Sequence, residues 1–293
     1  MKVAIYGLTY QDLALQYVLE LLEELQKESA EVYIEQDFYD NLVSKKALKA
    51  YKTFTSKKGL DSTFTMFVSF GGDGTILRAT TFVKDLGIPI IGVNTGRLGF
   101  LSILKKEDVR KVVRGFVKGN YTIVERSLVQ IKVDGYDAAF KDLNFALNEI
   151  TVSRKDTTSM ITVETHLNGE YLTSYWADGL IVSTPTGSTG YSLSCGGPVI
   201  EPTAKSLVLT PIAPHNLNAR PLVISDETVI RLKVSGREEN HLISLDSRIA
   251  SVENETEIEI KKANFTIKMI EFNSESFLKT LRNKLLWGED KRN

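Results

Sequence analysis

Residues Phe64-Thr-Met-Phe-Val-Ser-Phe70 form a nearly continuous apolar run, and Gly71-Gly-Asp-Gly74 cuts it off. A strand covered on both faces reads this way, and such strands belong to parallel sheets with helices on each side. The surrounding sequence supplies the helices. Residues 2–6 read as a short buried strand. Residues 11–28 read as a helix, with Ala14, Val18, Leu21, Leu22 and Leu25 spaced for one face. A strand near 31–34 and a weaker helix near 38–51 follow. After the glycines, 75–84 is helical with Ile76, Thr80 and Val83 on one side. Ile88-Pro-Ile-Ile-Gly-Val93 is the next strand and 106–118 the next helix. Alternating strands and helices predict a mostly parallel sheet with flanking helices.

From about residue 126 the apolar period changes to two. Val129, Ile131 and Val133 alternate with Gln130 and Lys132. Ile161 and Val163, then Ile230, Leu232 and Val234, then Phe265, Ile267 and Met269, repeat the pattern. Many short alternating runs predict an all-β, antiparallel, two-layer domain. Six of the seven prolines lie between Pro185 and Pro221, so that stretch is expected to be the least regular. The chain of 293 residues thus reads as an α/β domain over 1–125, an all-β domain over 126–271, and a C-terminal helix and tail over 272–293. That helix is expected from Glu275 to Trp287, packing through Phe277, Leu278, Leu281 and Leu285, with a loose tail from Asp290.

Composition removes several classes of function. A net charge of −1 gives no whole-molecule attraction to nucleic acid or anionic lipid. No apolar run approaches the roughly 18 residues of a membrane span. The first dozen residues turn polar too soon for a signal peptide. A single cysteine, Cys195, and three scattered histidines argue against a disulfide framework and against a His- or Cys-based metal site. A cytoplasmic protein is expected.

Three segments carry candidate chemistry. Gly71-Gly-Asp-Gly-Thr75 follows a buried strand and opens a helix, at the sheet edge where ligands bind. Glycines let backbone N–H groups approach phosphate, and the helix N-terminus adds partial positive charge. A carboxylate repels phosphate, so Asp73 fits as an acceptor of a hydroxyl proton or as a metal partner. The plain alternative is a helix cap. The second segment, Asp178-Gly-Leu-Ile-Val-Ser-Thr-Pro-Thr-Gly-Ser-Thr-Gly-Tyr-Ser-Leu-Ser-Cys-Gly-Gly-Pro198, is dense in hydroxyls and backbone donors, and Tyr191 offers a ring to stack on a base. The third is Asn148-Glu149, a polar pair inside a strand-like run; it faces solvent or bonds a ligand. Arg78, one turn into the first helix, either meets phosphate or covers a helix face. Cys195 reads as a packed residue and His215 as structural. No GxGxxG follows the first strand, and no GxxxxGK[ST] or GxSxG is present, which disfavours dehydrogenases, P-loop enzymes and serine hydrolases.

Taken together, these motifs resemble those of NAD kinases, in order and in spacing, from about residue 2 to 271. Phosphofructokinases and diacylglycerol-type lipid kinases carry turns similar to the first; the Gly/Thr/Ser segment singles out NAD kinases. The resemblance implies transfer of the ATP γ-phosphoryl group to the 2′-hydroxyl of the NAD adenosine ribose, with a divalent metal such as Mg²⁺. It implies that Asp73 acts as base and that Gly74 and Arg78 meet phosphate. Asn148 and Glu149 match the pair that holds the NAD adenosine. Thr189, Tyr191 and Ser194 match positions lining the adenine pocket, with Gly190, Ser192 and Leu193 in the same segment. Asp178 matches a position on the nicotinamide side, and Ala213 one beside the nicotinamide ribose. Family members form dimers or tetramers, so a homodimer or homotetramer is expected. Two departures stand out. Gly190 replaces a frequent Ala, and Asp246-Ser-Arg248 carries Arg where many members have Gln, so no contact is transferred to Arg248.

Overall fold

The computed structural model describes residues 1–8, 12–45, 50–96, 99–136, 140, 143–156, 159–272 and 276–286. The chain divides into two compact units. The first comprises Met1–Glu125 and Ile267–Asn293, the second Arg126–Thr266.

The first unit is built on a sheet with the strand order Lys52–Phe54, Glu31–Glu35, Lys2–Gly7, Met66–Phe70, Ile90–Asn94, Ile267–Glu271, Thr122–Arg126. Lys2–Gly7 pairs in parallel with both Glu31–Glu35 and Met66–Phe70, and Met66–Phe70 in parallel with Ile90–Asn94. All five residues of Met66–Phe70 are buried, as the apolar run predicts. Val3, Ile5, Met66, Val68 and Ile91 form one core with Val18, Leu21 and Leu25 of the helix Asp12–Lys27 and with Val112 and Val113 of the helix Val109–Val117. Across the sheet, Tyr6 packs on Phe82, ring centroids 5.0 Å apart, and Phe67 stacks on Phe82 at 6.4 Å. Phe82 belongs to the helix Asp73–Val83, which the glycine turn opens.

The second unit holds two six-stranded antiparallel sheets. One has the order Leu222–Ser225, Ser206–Ile212, Gly179–Ser183, Glu149–Arg154, Asn240–Leu245, Arg248–Glu253. The other has the order Glu170–Ala177, Ile161–Leu167, Ile230–Gly236, Glu257–Lys262, Val129–Val133, Phe145–Ala146. Ile150, Val152, Leu180, Val182, Leu207 and Ile243 of the first sheet meet Val129, Ile131, Val163, Leu232, Val234 and Ile260 of the second in one core. Each such side chain removed from water contributes about 1.5–3 kcal/mol.

The structure departs from the sequence reading in three places. The strand Ile267–Glu271, read as part of the antiparallel set, leaves it and pairs in parallel with Ile90–Asn94, Met269 opposite Ile90. A short alternating run has the same pattern at the end of a sandwich and within a covered parallel sheet, so periodicity does not choose between them. The second helix spans Gln36–Lys45, and a strand, Lys52–Phe54, starts where that helix was expected to end. The last helix spans Phe277–Leu285 and buries Leu281, whereas Leu278 is 60% exposed and Leu285 also faces solvent. Its expected ends at Glu275 and Trp287, the tail from Asp290 and the side chain of Ala14 lie outside the described residues.

Candidate active site

The first unit contributes the glycine turn. Gly71 ends the strand with a backbone N–H donated to Val93 O at 2.9 Å. Gly72 then precedes the helix in an extended conformation and donates no side chain to cap it. Asp73 is the first helical residue, and its carboxylate does not cap the helix either. It reaches across to the loop after Ile90–Asn94. Its Oδ2 accepts the Phe100 N–H at 2.8 Å, and its Oδ1 accepts the N–H groups of Leu101 at 3.0 Å and Ser102 at 2.9 Å. The cap reading of Asp73 is therefore overturned: the carboxylate bonds a segment 27–29 residues away. Ser102 returns a bond, its Oγ donating to Gly71 O at 2.9 Å, and Asn94 Nδ2 donates to Ser102 O at 2.9 Å. These residues cross-link turn and loop. Around Gly72 and Gly74 there is open space where a side chain would stand, so a ligand can approach the first-turn amides. Arg78 is exposed on the same helix. Its charge acts on Tyr6, whose hydroxyl burial pushes up to about 12, and on Glu35, which burial pushes up from the carboxylate range.

The second unit gathers the other predicted residues. Asn148 and Glu149 lie where the chain passes from Phe145–Ala146 in one sheet to Glu149–Arg154 in the other. Backbone groups there are satisfied: Asn148 O accepts the Thr184 N–H at 2.9 Å, and Thr184 Oγ1 donates to Leu147 O at 2.6 Å. Their side chains are not. Asn148 Oδ1 and Glu149 Oε2 are buried with no hydrogen-bond partner among the described residues. Both side chains adjoin Gly190, where a Cβ would lie 3.2 Å from Glu149 Oε2 and 3.4 Å from Asn148 Nδ2. Burial, with the nearby Asp246 carboxylate, raises Glu149 to about 8, so it holds a proton at neutral pH and can donate as well as accept.

Gly187–Cys195 forms the adjoining wall. Thr186–Thr189 makes one tight turn and Tyr191–Ser194 another. Tyr191 is half-exposed, and its charge environment includes Cys195, Asp178 and Glu149. Thr189 Oγ1 donates to Thr186 O at 3.3 Å. Leu193 is half-buried and Ser194 exposed. Ser192 turns away, its Oγ bonded to Thr210 Oγ1 at 2.8 Å inside the domain, so it offers only backbone to a ligand. Asp178 pairs with Arg154, 3.0 Å between Oδ2 and Nη2. Its N–H donates to Ile212 O at 3.0 Å, which brings the following residue, Ala213, alongside; Ala213 is exposed and has φ +42°.

Sequence reasoning passed over Ser102, Asn94, Gly99, Asp246 and the contacts of Arg248. Their partners lie far along the chain, so no local spacing announces them. The one available signal was two opposite charges in a tight turn between alternating strands.

Family models describe both units: an ATP-NAD kinase N-terminal domain matches residues 3–121 and an ATP-NAD kinase C-terminal domain residues 147–272. The chain belongs to the NAD kinase family. An NAD kinase of Flavobacterium johnsoniae is 58% identical over 294 residues, covering 100% of both chains, and one of Flavobacterium psychrophilum is 59% identical over the same span. Among solved structures, an NAD kinase from Archaeoglobus fulgidus in complex with ATP aligns with a TM-score of 0.73 at 28% identity, covering 97% of each chain. A yeast NADH kinase complexed with NADH shares the fold at a TM-score of 0.86 and 22% identity, covering 99% of this chain and 89% of that one. The Gly-Gly-Asp-Gly-Thr turn and the Asp178–Ser194 segment thus lie on different compact units of this chain. No helix among the described residues is long and apolar enough to cross a membrane.

Proposed function

We propose that this chain transfers the γ-phosphoryl group of ATP to the 2′-hydroxyl of the NAD adenosine ribose, giving NADP and ADP. One observation carries the reading: Asn148 Oδ1 and Glu149 Oε2 are buried without a hydrogen-bond partner among the described residues, on two side chains that adjoin Gly190 through Asn148 Nδ2 and Glu149 Oε2. Buried polar groups left open in this way suit a ligand with hydroxyls and ring nitrogens. Asn148 and Glu149 hold the adenosine. Thr189, Tyr191 and Ser194 line the adenine, with Gly190, Ser192 and Leu193 supplying backbone and shape. Asp178 and Ala213 border the nicotinamide nucleoside. Gly74 and Arg78 meet phosphate.

In the reaction, the ribose O2′ forms a bond to the γ-phosphorus while the bond from that phosphorus to the β,γ-bridging oxygen breaks, and ADP leaves. The hydroxyl proton passes to Asp73. The carboxylate has about four lone-pair sites; three accept loop amides, which leaves one on Oδ2 for that proton. Phosphoryl transfer asks little else of the protein beyond alignment and charge neutralisation.

The divalent ion is part of this proposal as a component of the Mg·ATP substrate. Among the described residues, no three His, Cys, Asp or Glu side chains converge on one point, and the ion is proposed to ride mostly on the ATP phosphates. A homodimer or homotetramer and a cytoplasmic location complete the proposal, the former checked by sedimentation.

The deciding experiment mixes protein, NAD, ATP and Mg²⁺. NADP formation, with no product from diacylglycerol, is the expected result. Turnover of the lipid in place of NAD, or binding of NAD without any turnover, would overturn it.

A further inference from the structure

Asp246-Ser247-Arg248 is the turn between the strands Asn240–Leu245 and Arg248–Glu253. A turn needs no charged groups, yet this one half-buries two. Burial shifts both away from their ionised forms, Asp246 upward and Arg248 downward. Enclosing charge costs free energy unless each charge finds good partners.

The partners are all on one short segment. Asp246 Oδ2 accepts the Leu147 N–H at 3.0 Å, and its Oδ1 accepts those of Asn148 at 2.9 Å and Glu149 at 3.2 Å. Asp246 takes up φ +52° to reach them, and its own N–H donates to Glu149 O at 3.0 Å. Two residues on, the Arg248 guanidinium donates to Leu143 O at 2.6 Å and to Phe145 O, and lies 5.5 Å over the Phe145 ring. The carboxylate therefore grips the amides of 147–149 while the guanidinium grips the carbonyls of 143 and 145. Two of the residues whose amides the carboxylate holds, Asn148 and Glu149, are those whose side-chain oxygens remain open.

We infer that Asp246 and Arg248 are positioning residues, a two-sided backbone clamp that presents Asn148 and Glu149 to the nucleoside of the substrate. The inference rests on the function proposed above. By holding the main chain, the clamp leaves both side chains unengaged for a ligand and fixes their spacing before it arrives. Preorganisation of this kind lowers the ordering cost of binding. The Arg at 248 serves the carbonyl side of the clamp through a planar fork, which a lysine reproduces only in part.

Steady-state kinetics on the full chain test this, with Arg248→Met, Arg248→Lys, Asp246→Asn and Asn148→Ala singly and Arg248→Met combined with Asn148→Ala. Arg248→Met keeps bulk and loses both carbonyl bonds. It is expected to raise KM for NAD about tenfold, the effect of one or two lost hydrogen bonds, with KM for ATP within about twofold. Arg248→Lys should recover part of the loss. Asp246→Asn should behave like Arg248→Met; if it does not fold, the two Arg248 variants decide. In the Asn148→Ala background, Arg248→Met should raise KM for NAD by a smaller factor than in the parent, because only Glu149 remains to be positioned. A structural role alone would lower the melting temperature and raise KM equally in both backgrounds. An unchanged KM for NAD in folded Arg248→Met, or an equal rise in the two backgrounds, overturns the clamp. The outcomes separate cleanly. Parent protein that neither binds nor phosphorylates NAD removes the proposed function and the clamp with it. A parent that turns over NAD and loses affinity in Asn148→Ala, but not in the Arg248 variants, removes the clamp alone.

Discussion

Asp73 and Gly99 fit together only because residue 99 has no side chain: a Cβ there would overlap the Asp73 carboxylate, with Oδ1 its nearest atom. That carboxylate uses three of its acceptor positions on the amides of Phe100, Leu101 and Ser102. The loop and the glycine turn are thus one polar unit, and the group proposed as base is also its cross-link.

Asp73→Asn therefore does more than remove a base. An amide nitrogen must replace one acceptor and face a backbone N–H. We expect kcat to fall by about 10²–10⁴ through loss of proton acceptance, and stability to fall by about 1–3 kcal/mol through the unpaired donor. Gly99→Ala should lower the melting temperature and kcat together, since the methyl displaces the carboxylate. Melting curves and kinetics on both variants check this. An Asp73→Asn protein with parental kcat would take Asp73 out of the chemistry and leave it as a cross-link only.

Tyr191 is half-exposed beside Asn148, Glu149 and Gly190, and its ring is available for stacking. Tyr191→Ala should weaken NAD binding by about 5- to 150-fold, the equivalent of losing one stacked base. The melting temperature should fall less than for a core aromatic, because about half of the side chain already faces solvent. Titration of NAD into the variant reads this directly; parental affinity would show that the ring does not wall the adenine.

Glu149 gives a pH dependence with a definite sign. In the native chain it keeps its proton up to about pH 8, against an ordinary value of 4.5. Between those two values the native state binds more protons than the unfolded one, so stability declines as pH rises through that window. Glu149→Gln cannot ionise and should melt with a flatter profile from pH 5 to 8. Asp246, also raised by burial, leaves a residual slope of the same sign at the acid end. Parallel melting profiles for the two proteins would show that Glu149 is not protonated in the fold.

Chelation separates substrate metal from structural metal. EDTA is expected to stop NADP formation and to leave the melting temperature of the ligand-free protein unchanged, since the described residues gather no carboxylate, thiol or imidazole cluster. A lower melting temperature in EDTA would reveal a bound ion that holds the fold.

Much of this molecule is legible in its sequence. Within the apolar run Phe64–Phe70, Met66–Phe70 is a strand with every residue buried, and the glycines after it mark where the strand ends. The shift to period two near residue 126 coincides with the start of the two-sheet unit at Arg126. The motif residues of the second unit lie close together because most of them sit within one short stretch of chain, Asp178–Ser194, with Asn148 and Glu149 paired to it through Glu149–Arg154 and Gly179–Ser183.

What the amino-acid order determined by itself was local: strand and helix periods, the glycine turn, and the hydroxyl-rich segment that marks the family. The tertiary structure alone decided three further things. It returned Ile267–Glu271 to the parallel sheet. It turned Asp73 from its own helix to the loop at 100–102. It also set Asp246 and Arg248 against a segment 97 to 105 residues earlier. The reason is the same in each case. Periodicity records which side of an element is apolar, whereas a strand's neighbour, or the amide a carboxylate binds, depends on which distant segment packing brings within about 3 Å.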